Sequence, residues 1–240
     1  MNIALIFAGG TGSRMNSKAK PKQFLELNGK AIIIHTLEWF EKHPEIDAIC
    51  VVCIESWISH LKELLHRNFM TKVRWIVPGG ETGQDSIYNG IKAIHEANVP
   101  ENSIVLVHDG VRPLINEKLI SDNIKKVREQ GSAITVTPAI ETIVSTDNRD
   151  EITKITDRKQ CFLARAPQSF ILQELVDAHH KAIAEGIHGM IDSASLMKHY
   201  GHTLFTVDGP VENIKITTPM DFYLFRAIYE ARENSQIFGI

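Results

Sequence analysis

Long apolar runs, surplus positive charge and cysteine are all scarce in this 240-residue chain. No stretch approaches the roughly 18 uninterrupted apolar residues of a membrane span, and Met1 to Ala8 is too short for the apolar region and cleavage site of a signal peptide. A cytoplasmic protein is therefore expected. Lys and Arg total 26 against 29 Asp and Glu, a net charge of -3, which excludes a protein that grips nucleic acid or an anionic membrane by bulk charge. Any basic site must be local. The 3 cysteines are too few for a disulfide framework. Cys50 and Cys53 have a zinc-like spacing, but they lie in the apolar run Ala48 to Ile54. In a strand that spacing sends the thiols to opposite faces, so they read as buried structural groups. The 11 histidines show no His-Glu-x-x-His spacing, and the adjacent His179 and His180 diverge on a helix, which argues against a metal-dependent hydrolase.

What is present is a regular alternation. Apolar runs of strand type occur at Asn2 to Phe7, Ala48 to Ile54, Val73 to Val77, Ser103 to Val107 and Ala133 to Thr137. Between them, Ala31 to Phe40, Trp57 to Leu65, Ser86 to Ile94 and Leu119 to Val127 carry apolar residues at helical spacing. Strand and helix in turn predict an α/β fold: a Rossmann-like, doubly wound, mainly parallel sheet with helices on both faces. The rhythm breaks at Ile140 to Ile155, a Thr- and Ile-rich stretch around the turn-like Thr146 to Asp150, which predicts a protruding β-arm over residues 139–159. Helices are expected again at Leu172 to Ile183, Ser193 to His199 and Pro219 to Arg232, with a short strand at Thr203 to Val207. No repeat or linker divides the chain, so residues 1–240 are expected to form one domain.

The first strand runs into Ala8-Gly9-Gly10-Thr11-Gly12-Ser13-Arg14-Met15. A glycine-rich loop at the carboxyl end of a strand lets backbone N–H groups approach phosphate oxygens. Neither the dinucleotide pattern nor the P-loop is met, because Met15 stands where a third glycine should and no Gly-Lys-Ser/Thr follows. Instead the loop carries its own cation, Arg14, followed by Lys18, Lys20 and Pro21-Lys22-Gln23. Cations beside a backbone cradle suit phosphoryl or nucleotidyl transfer, in which negative charge develops on a polyphosphate. Gly79-Gly80 allows a close backbone approach, Ser86 opens a helix as a base ligand or an ordinary N-cap, and Asp109 and Arg112 follow a buried strand at the same sheet edge.

Ala8-Gly-Gly-x-Gly-x-Arg14-Met15 with Pro21-Lys22-Gln23 resembles the signature of nucleotidyltransferases that act on sugar and alcohol phosphates. Gly79-Gly80 ahead of Asp85-Ser86, His108 to Pro113, Asp157-Arg158, Pro167-Gln168 and Asn213 to Pro219 narrow the resemblance to cytidylyltransferases acting on 2-C-methyl-D-erythritol 4-phosphate and ribitol 5-phosphate. The blocks run in order over nearly the whole chain. Phe7 to Gly12, Ile32 to Glu38 and Trp57-x-x-His60 look closer to the ribitol 5-phosphate branch, with the methylerythritol phosphate branch of isoprenoid precursor synthesis as the alternative.

The resemblance implies that CTP and an alcohol phosphate give a CDP-alditol and pyrophosphate with Mg²⁺. It implies Arg14, Lys22 and Lys215 at the reacting phosphates, and Ala8, Gly9, Gly10, Thr11, Gly12, Ser13, Gly80, Glu81 and Ser86 around the nucleotide. Asp109 would bind acceptor hydroxyls or lie near the metal, with Arg112 steadying its loop. Thr142 and Arg158 would enter a neighbouring subunit's site on the β-arm, which implies a homodimer; an arm folded back on its own subunit is the alternative. Two positions depart from the family pattern. Gly83 stands where Arg is common and Ala166 where Thr is usual, with Arg165 beside it as a replacement cation. These departures motivate a reading of another class, a CTP-binding protein without turnover.

Overall fold

A computed structural model of the chain describes residues 1–10 and 20–238. Its elements are β1 (Asn2–Ala8), the short strands β2 (Glu26–Leu27) and β3 (Lys30–Ala31), α1 (Ile32–Lys42), β4 (Ala48–Cys53), α2 (Ile58–Arg67), β5 (Val73–Pro78), α3 (Gly83–Glu96), β6 (Ile104–Asp109), α4 (Glu117–Gln130) and β7 (Ser132–Pro138). There follow β8 (Ile143–Thr146), β9 (Ile152–Thr156), β10 (Phe162–Ile171), α5 (Leu172–Ala184), α6 (Ser193–His199), β11 (Thr206–Asp208) and α7 (Pro219–Phe238).

The main sheet has seven strands in the order β11-β7-β10-β6-β1-β4-β5, parallel except for β10, which runs antiparallel to both neighbours. Alternate residues of the strands feed opposite cores. Ala4, Ile6, Ile49 and Val51 pack with α1, α2 and α4, while Ile3, Leu5, Cys50 and Val52 pack with α3, α5 and α6. The expected doubly wound, mainly parallel α/β sheet is what forms. Cys53 joins the first core and Cys50 the second, so the two thiols do part to opposite faces. Burial pushes the Cys50 thiol up to about 12 and that of Cys53 to about 11, which keeps both protonated.

Three features differ from the sequence reading. β10 was not expected, because it carries Arg165, Pro167, Gln168 and Ser169 and its register shifts between Ala164 and Gln168. Proline and a polar run argue against a central strand; here Ser169 Oγ donates to Asn123 Oδ1 at 2.9 Å and Pro167 O accepts from Thr135 Oγ1 at 2.7 Å, which satisfies the buried polar atoms. The small β2–β3 hairpin was also missed, although Asn28-Gly29, with φ of 53° and 73°, is the dipeptide a tight hairpin turn demands. Finally, β6 extends through His108 and Asp109, which are buried and paired in register with Ile6 and Phe7. Both had been placed beyond a strand ending at Val107.

The chain visits β1, β4 and β5 on one side, then returns to β6 on the other, so strand order reverses between β1 and β6. Open α/β sheets bind ligands at the carboxyl edge of such a switch. β8 and β9 form a separate two-stranded antiparallel sheet. Its turn is closed by Asp147, whose side chain accepts from the Arg149 and Glu151 amides at 2.8 and 3.1 Å. Ile140, Val144, Ile152 and Ile155 on this hairpin and Phe162 and Leu163 beyond it are exposed. Helix α3 approaches the sheet closely at Gly90, where a Cβ would meet Leu5 and Val52 methyl carbons at 2.9 Å. Gly90→Ala is therefore expected to destabilise the fold by about 1–3 kcal/mol despite the better helix propensity of alanine; urea unfolding measures it, and a stabilised variant would contradict the packing argument.

Candidate active site

The carboxyl edges of β1 and β6 carry Ala8 and Asp109. Asp109 is 5% exposed and holds two cations: its Oδ2 accepts from Arg112 Nε at 2.6 Å and its Oδ1 lies 2.5 Å from Lys215 Nζ. Burial pushes the Asp109 carboxyl up, but the neighbouring Arg112 and Lys215 charges outweigh it and hold the group at about 2. It is a permanent anion at neutral pH. Arg112 is tied further by Nη1 to the Asn213 carbonyl at 2.9 Å, and Asn213 Nδ2 donates to the Ala166 carbonyl at 2.7 Å. The segment that carries Lys215 is thus fastened to β6 and β10 together. The Lys215 ammonium also lies 5.7 Å from the Phe7 ring centroid.

The first glycine loop is positioned from the side. Gln23, 1% exposed in the 3-10 turn Lys22–Phe24, donates to Ala8 O at 2.6 Å and Gly10 O at 3.4 Å. Sequence reading noted Gln23 only as part of a motif; its role is to hold the loop. Lys20 pairs with Glu26 at 2.6 Å. Opposite, α3 begins at a capping box in which Thr82 Oγ1 accepts from the Asp85 amide and Asp85 Oδ2 from the Thr82 amide, each at 3.1 Å. The N-cap is therefore Thr82, and Ser86 serves differently: its Oγ accepts from Gly80 N at 3.0 Å. A Cβ on Gly80 would lie 2.4 Å from that of Asp85, and one on Gly9 3.0 Å from Ser86 Oγ. These glycines are demanded by loop packing as well as by ligand access.

Two cavities open on this edge. One, of about 420 Å³, is lined by Ala8, Gly9, Gly10, Lys22, Gly80, Glu81 and Ser86. The other, of about 300 Å³, is lined by Arg112, Arg165, Ala166 and Gln168, with residues of α3, α5 and α6. Phe7, Gly83, Asp109 and Lys215 line both, so the ion pair stands where the cavities meet. A Cβ at Gly83 would find nothing within 4 Å, which leaves the departure to glycine as open space at that junction. Arg165 lines the second cavity and donates from Nε to Thr137 Oγ1 at 3.3 Å; burial, then the Arg112 charge, lowers its pKa.

Of the residues expected at the site, Ala8, Gly9, Gly10, Lys22, Gly80, Glu81, Ser86, Asp109, Arg112 and Lys215 converge on these cavities. Thr11, Gly12, Ser13 and Arg14 lie outside the described residues. Thr142 and Arg158 do not join them: both are exposed near the hairpin, line neither cavity, and Arg158 Nη1 donates to Ile140 O at 3.1 Å. Among the described residues no group of three or more His, Cys, Asp or Glu side chains converges as a metal cage.

The chain matches the protein family described as 2-C-methyl-D-erythritol 4-phosphate cytidylyltransferase (IspD) over residues 2–231. It is 51% identical over 240 residues to a ribitol-5-phosphate cytidylyltransferase of Streptococcus agalactiae, covering 100% of both chains. A protein of the same name from Vibrio parahaemolyticus is 52% identical over 239 residues, again covering 100% of each. Among solved structures, the 4-diphosphocytidyl-2C-methyl-D-erythritol synthase of Anaerococcus prevotii superposes with a TM-score of 0.82 at 27% identity, covering 95% of this chain and 96% of that one.

Three buried histidines, His35, His108 and His179, make the fold acid-sensitive. Burial lowers His108 and His179 from 6.5 to about 4. The unfolded chain then binds protons that the folded one refuses, so stability is full above pH 6.5, falls as the pH drops towards 4, and is lost no further on their account below that. Asp109 acts lower, with its contribution lost only as the pH falls towards 2. Unfolding free energies measured across pH 4–6.5 are expected to slope by up to about 1.4 kcal/mol per pH unit for each histidine. His179→Phe is expected to reduce that slope, while His35, whose pKa burial also lowers, and His108 keep the remainder; an unchanged slope would contradict the neutral buried imidazole.

Proposed function

The chain belongs to the IspD family of cytidylyltransferases, and from that membership we propose that it transfers the cytidylyl group of CTP to D-ribitol 5-phosphate, giving CDP-ribitol and pyrophosphate. The observation that carries this reading is the junction of two cavities at the Asp109–Lys215 pair, a place for two anionic substrates to meet. The roughly 50% identity to ribitol-5-phosphate enzymes over the full chain supports the acceptor.

The larger cavity takes CTP. The triphosphate is taken by the first glycine loop, with Ala8, Gly9, Gly10, Thr11, Gly12, Ser13 and Arg14 as its binding residues, while Gly80, Glu81 and Ser86 bind cytosine and ribose. A phosphate oxygen of the acceptor attacks the α-phosphorus in line: the new P–O bond forms as the bond to the leaving pyrophosphate breaks, and the electron pair departs with pyrophosphate. The attacking group is already an anion near neutral pH, so no general base is required. The protein must instead overcome repulsion between two anions and stabilise the five-coordinate phosphorus, the task of Lys22, Lys215 and Arg14. Asp109 holds the Lys215 ammonium at the junction and accepts hydrogen bonds from acceptor hydroxyls. Arg112 compensates its charge.

Mg²⁺ fits this donor set, because the ion commonly binds through one carboxylate, water and substrate phosphates rather than a protein cage. Asp109 is the carboxylate nearest the junction, and because both its oxygens are paired with Arg112 and Lys215 it would hold the ion through a bridging water rather than directly. When bound, the ion supplies charge neutralisation at the phosphates.

Thr142 and Arg158 then act in trans. The hairpin stands apart from the main sheet with exposed apolar side chains, a surface that a second copy of the chain would cover. The working unit is a homodimer in the cytoplasm, each chain one nucleotidyltransferase domain over 1–240 with 139–159 as its arm. No helix among the described residues is long and apolar enough to cross a membrane.

Pyrophosphate release from CTP, with ribitol 5-phosphate and 2-C-methyl-D-erythritol 4-phosphate side by side, tests the acceptor; turnover is expected with ribitol 5-phosphate, and turnover with the methylerythritol compound alone would overturn it. Binding of CTP without turnover on either would make the protein a silent CTP binder. Lys22→Ala and Lys215→Ala are each expected to lower kcat by roughly 100-fold, about 3 kcal/mol of transition-state stabilisation, with smaller changes in KM. A kcat within a few-fold of the parent would remove that residue from the role. Mixing Arg158→Ala with Lys215→Ala, each impaired alone, is expected to raise turnover above that of either variant through mixed dimers. A mixture no more active than its components would refute donation in trans.

A further inference from the structure

From Asp109, the end of β6, to Leu114 the chain is mostly loop, yet every residue of it is buried. Loops normally keep their backbone polar groups in water, so a buried one must find a partner for each. This one does. Asp109 O accepts from the Arg112 amide at 3.1 Å and Val111 O from the Ile216 amide at 2.9 Å. Side chains take the remaining carbonyls: Thr36 Oγ1 donates to Gly110 O at 3.1 Å, His108 Nε2 to Arg112 O at 3.2 Å, Trp39 Nε1 to Pro113 O at 3.0 Å and Arg232 Nη2 to Leu114 O at 3.2 Å.

Two of these donors come from one helix. Thr36 and Trp39 stand three residues apart on α1, hence on one face, and meet carbonyls three residues apart on the loop. His43, at the end of the same helix, continues the match with Nε2 3.3 Å from Glu117 O. Each of the three contacts spans 74 residues, so α1 lies along the chain from Gly110 to Glu117 as a splint. Thr36 is 0% exposed, and its hydroxyl is nearer the loop carbonyl than Ile32 O of its own helix at 3.3 Å, the acceptor a helical threonine ordinarily uses. The Trp39 indole has a single N–H, and the Pro113 carbonyl takes it. The proposed reaction uses neither residue, and neither lines the two cavities at the β1–β6 edge.

We propose that Thr36 and Trp39 are positioning residues for cytidylyl transfer: by holding the Gly110 and Pro113 carbonyls they fix the loop on which Arg112 pairs with Asp109, and through that pair the place of the Lys215 ammonium. The proposal rests on the role given to Lys215 above. The chain of contacts is short. Arg112 lies between the two clasped carbonyls, its Nε pairs with one Asp109 oxygen at 2.6 Å, and the other Asp109 oxygen lies 2.5 Å from Lys215 Nζ. Loss of either donor strands a carbonyl in a buried loop, and the loop must shift to satisfy it. A displaced cation lowers the rate, because the geometry of transfer tolerates less than about 1 Å of misplacement.

The test is a mutant cycle on steady-state pyrophosphate release, run with whichever of ribitol 5-phosphate and 2-C-methyl-D-erythritol 4-phosphate the parent turns over, in variants that unfold cooperatively on heating. Thr36→Val and Trp39→Phe keep the shape of the side chain and remove the donor; each is expected to lower kcat about tenfold, with the KM for CTP within about twofold of the parent. Thr36→Ser, which keeps the hydroxyl, is expected to recover most of the loss. Combined with Lys215→Ala, either substitution is expected to cost less than about twofold further, since the group it positions is gone. A tenfold loss repeated in the Lys215→Ala background, an unchanged kcat in the parent background, or a Thr36→Ser as impaired as Thr36→Val overturns the proposal. Should Thr36→Val not fold, Trp39→Phe, whose ring still fills its place, decides alone. A parent that releases no pyrophosphate with either acceptor fails the reading of the reaction; an active parent with unaffected variants fails only this inference.

Discussion

One buried carboxylate between two cations organises the functional edge of this molecule. Asp109 ends β6, so its position is set by the most constrained part of the sheet, and through Arg112 and Lys215 it holds a loop and a distant segment of chain in place. A charge this buried is tolerable only while paired, and removing one partner of such a group strands the other. The same arrangement that stabilises the edge therefore holds the Lys215 ammonium where the two cavities meet. Asn213 extends the constraint to Ala166 on β10, so the antiparallel strand that interrupts an otherwise parallel sheet also sets where the cation sits.

The side of the site lined by the two glycine loops is shaped by close packing. Gly9, Gly79 and Gly80 meet Ser86 and Asp85 at distances that a Cβ would violate or crowd, and Gln23 clasps the other side of the first loop. The described loop backbone at Gly9, Gly79 and Gly80 is consequently held in a rigid frame. Gly83 is the exception: it has open space around it, at the point where both cavities meet. A side chain there would project into the junction rather than disturb the frame, so glycine at this position changes the contents of the site without changing its walls.

The described residues divide the polar atoms of the second cavity into those that satisfy one another and those that do not. Gln168 and Asp192 close a network that fixes the start of α6, and beside them His179 and Ser193 stay unpaired. Burial of unpaired polar groups opposes folding. Acid sensitivity is a second consequence, since a buried imidazole that cannot take up a proton favours the unfolded chain once the pH falls.

Much of this was legible in the residues alone. Apolar runs in turn with helical stripes determine the parallel strands, because a strand buried on both faces must be apolar throughout, and the three-residue spacing in a strand placed Cys50 and Cys53 in opposite cores. The glycine loops and Asp109, Arg112 and Lys215 could be marked because polar and glycine residues directly after buried strands have little packing purpose. β10 was not legible, since its polar and proline residues acquire partners only from α4 and β7. Nor was the division of labour at α3, where Thr82 caps and Ser86 clasps Gly80, or the separation of Thr142 and Arg158 from the cavities of their own chain. Local pattern determines which segments become strands and helices, because periodicity decides which face can be buried. Which polar groups meet across 100 residues of chain, as Arg112 and Asn213 do, only the tertiary structure decides, because their pairing has value only once water has been excluded around them.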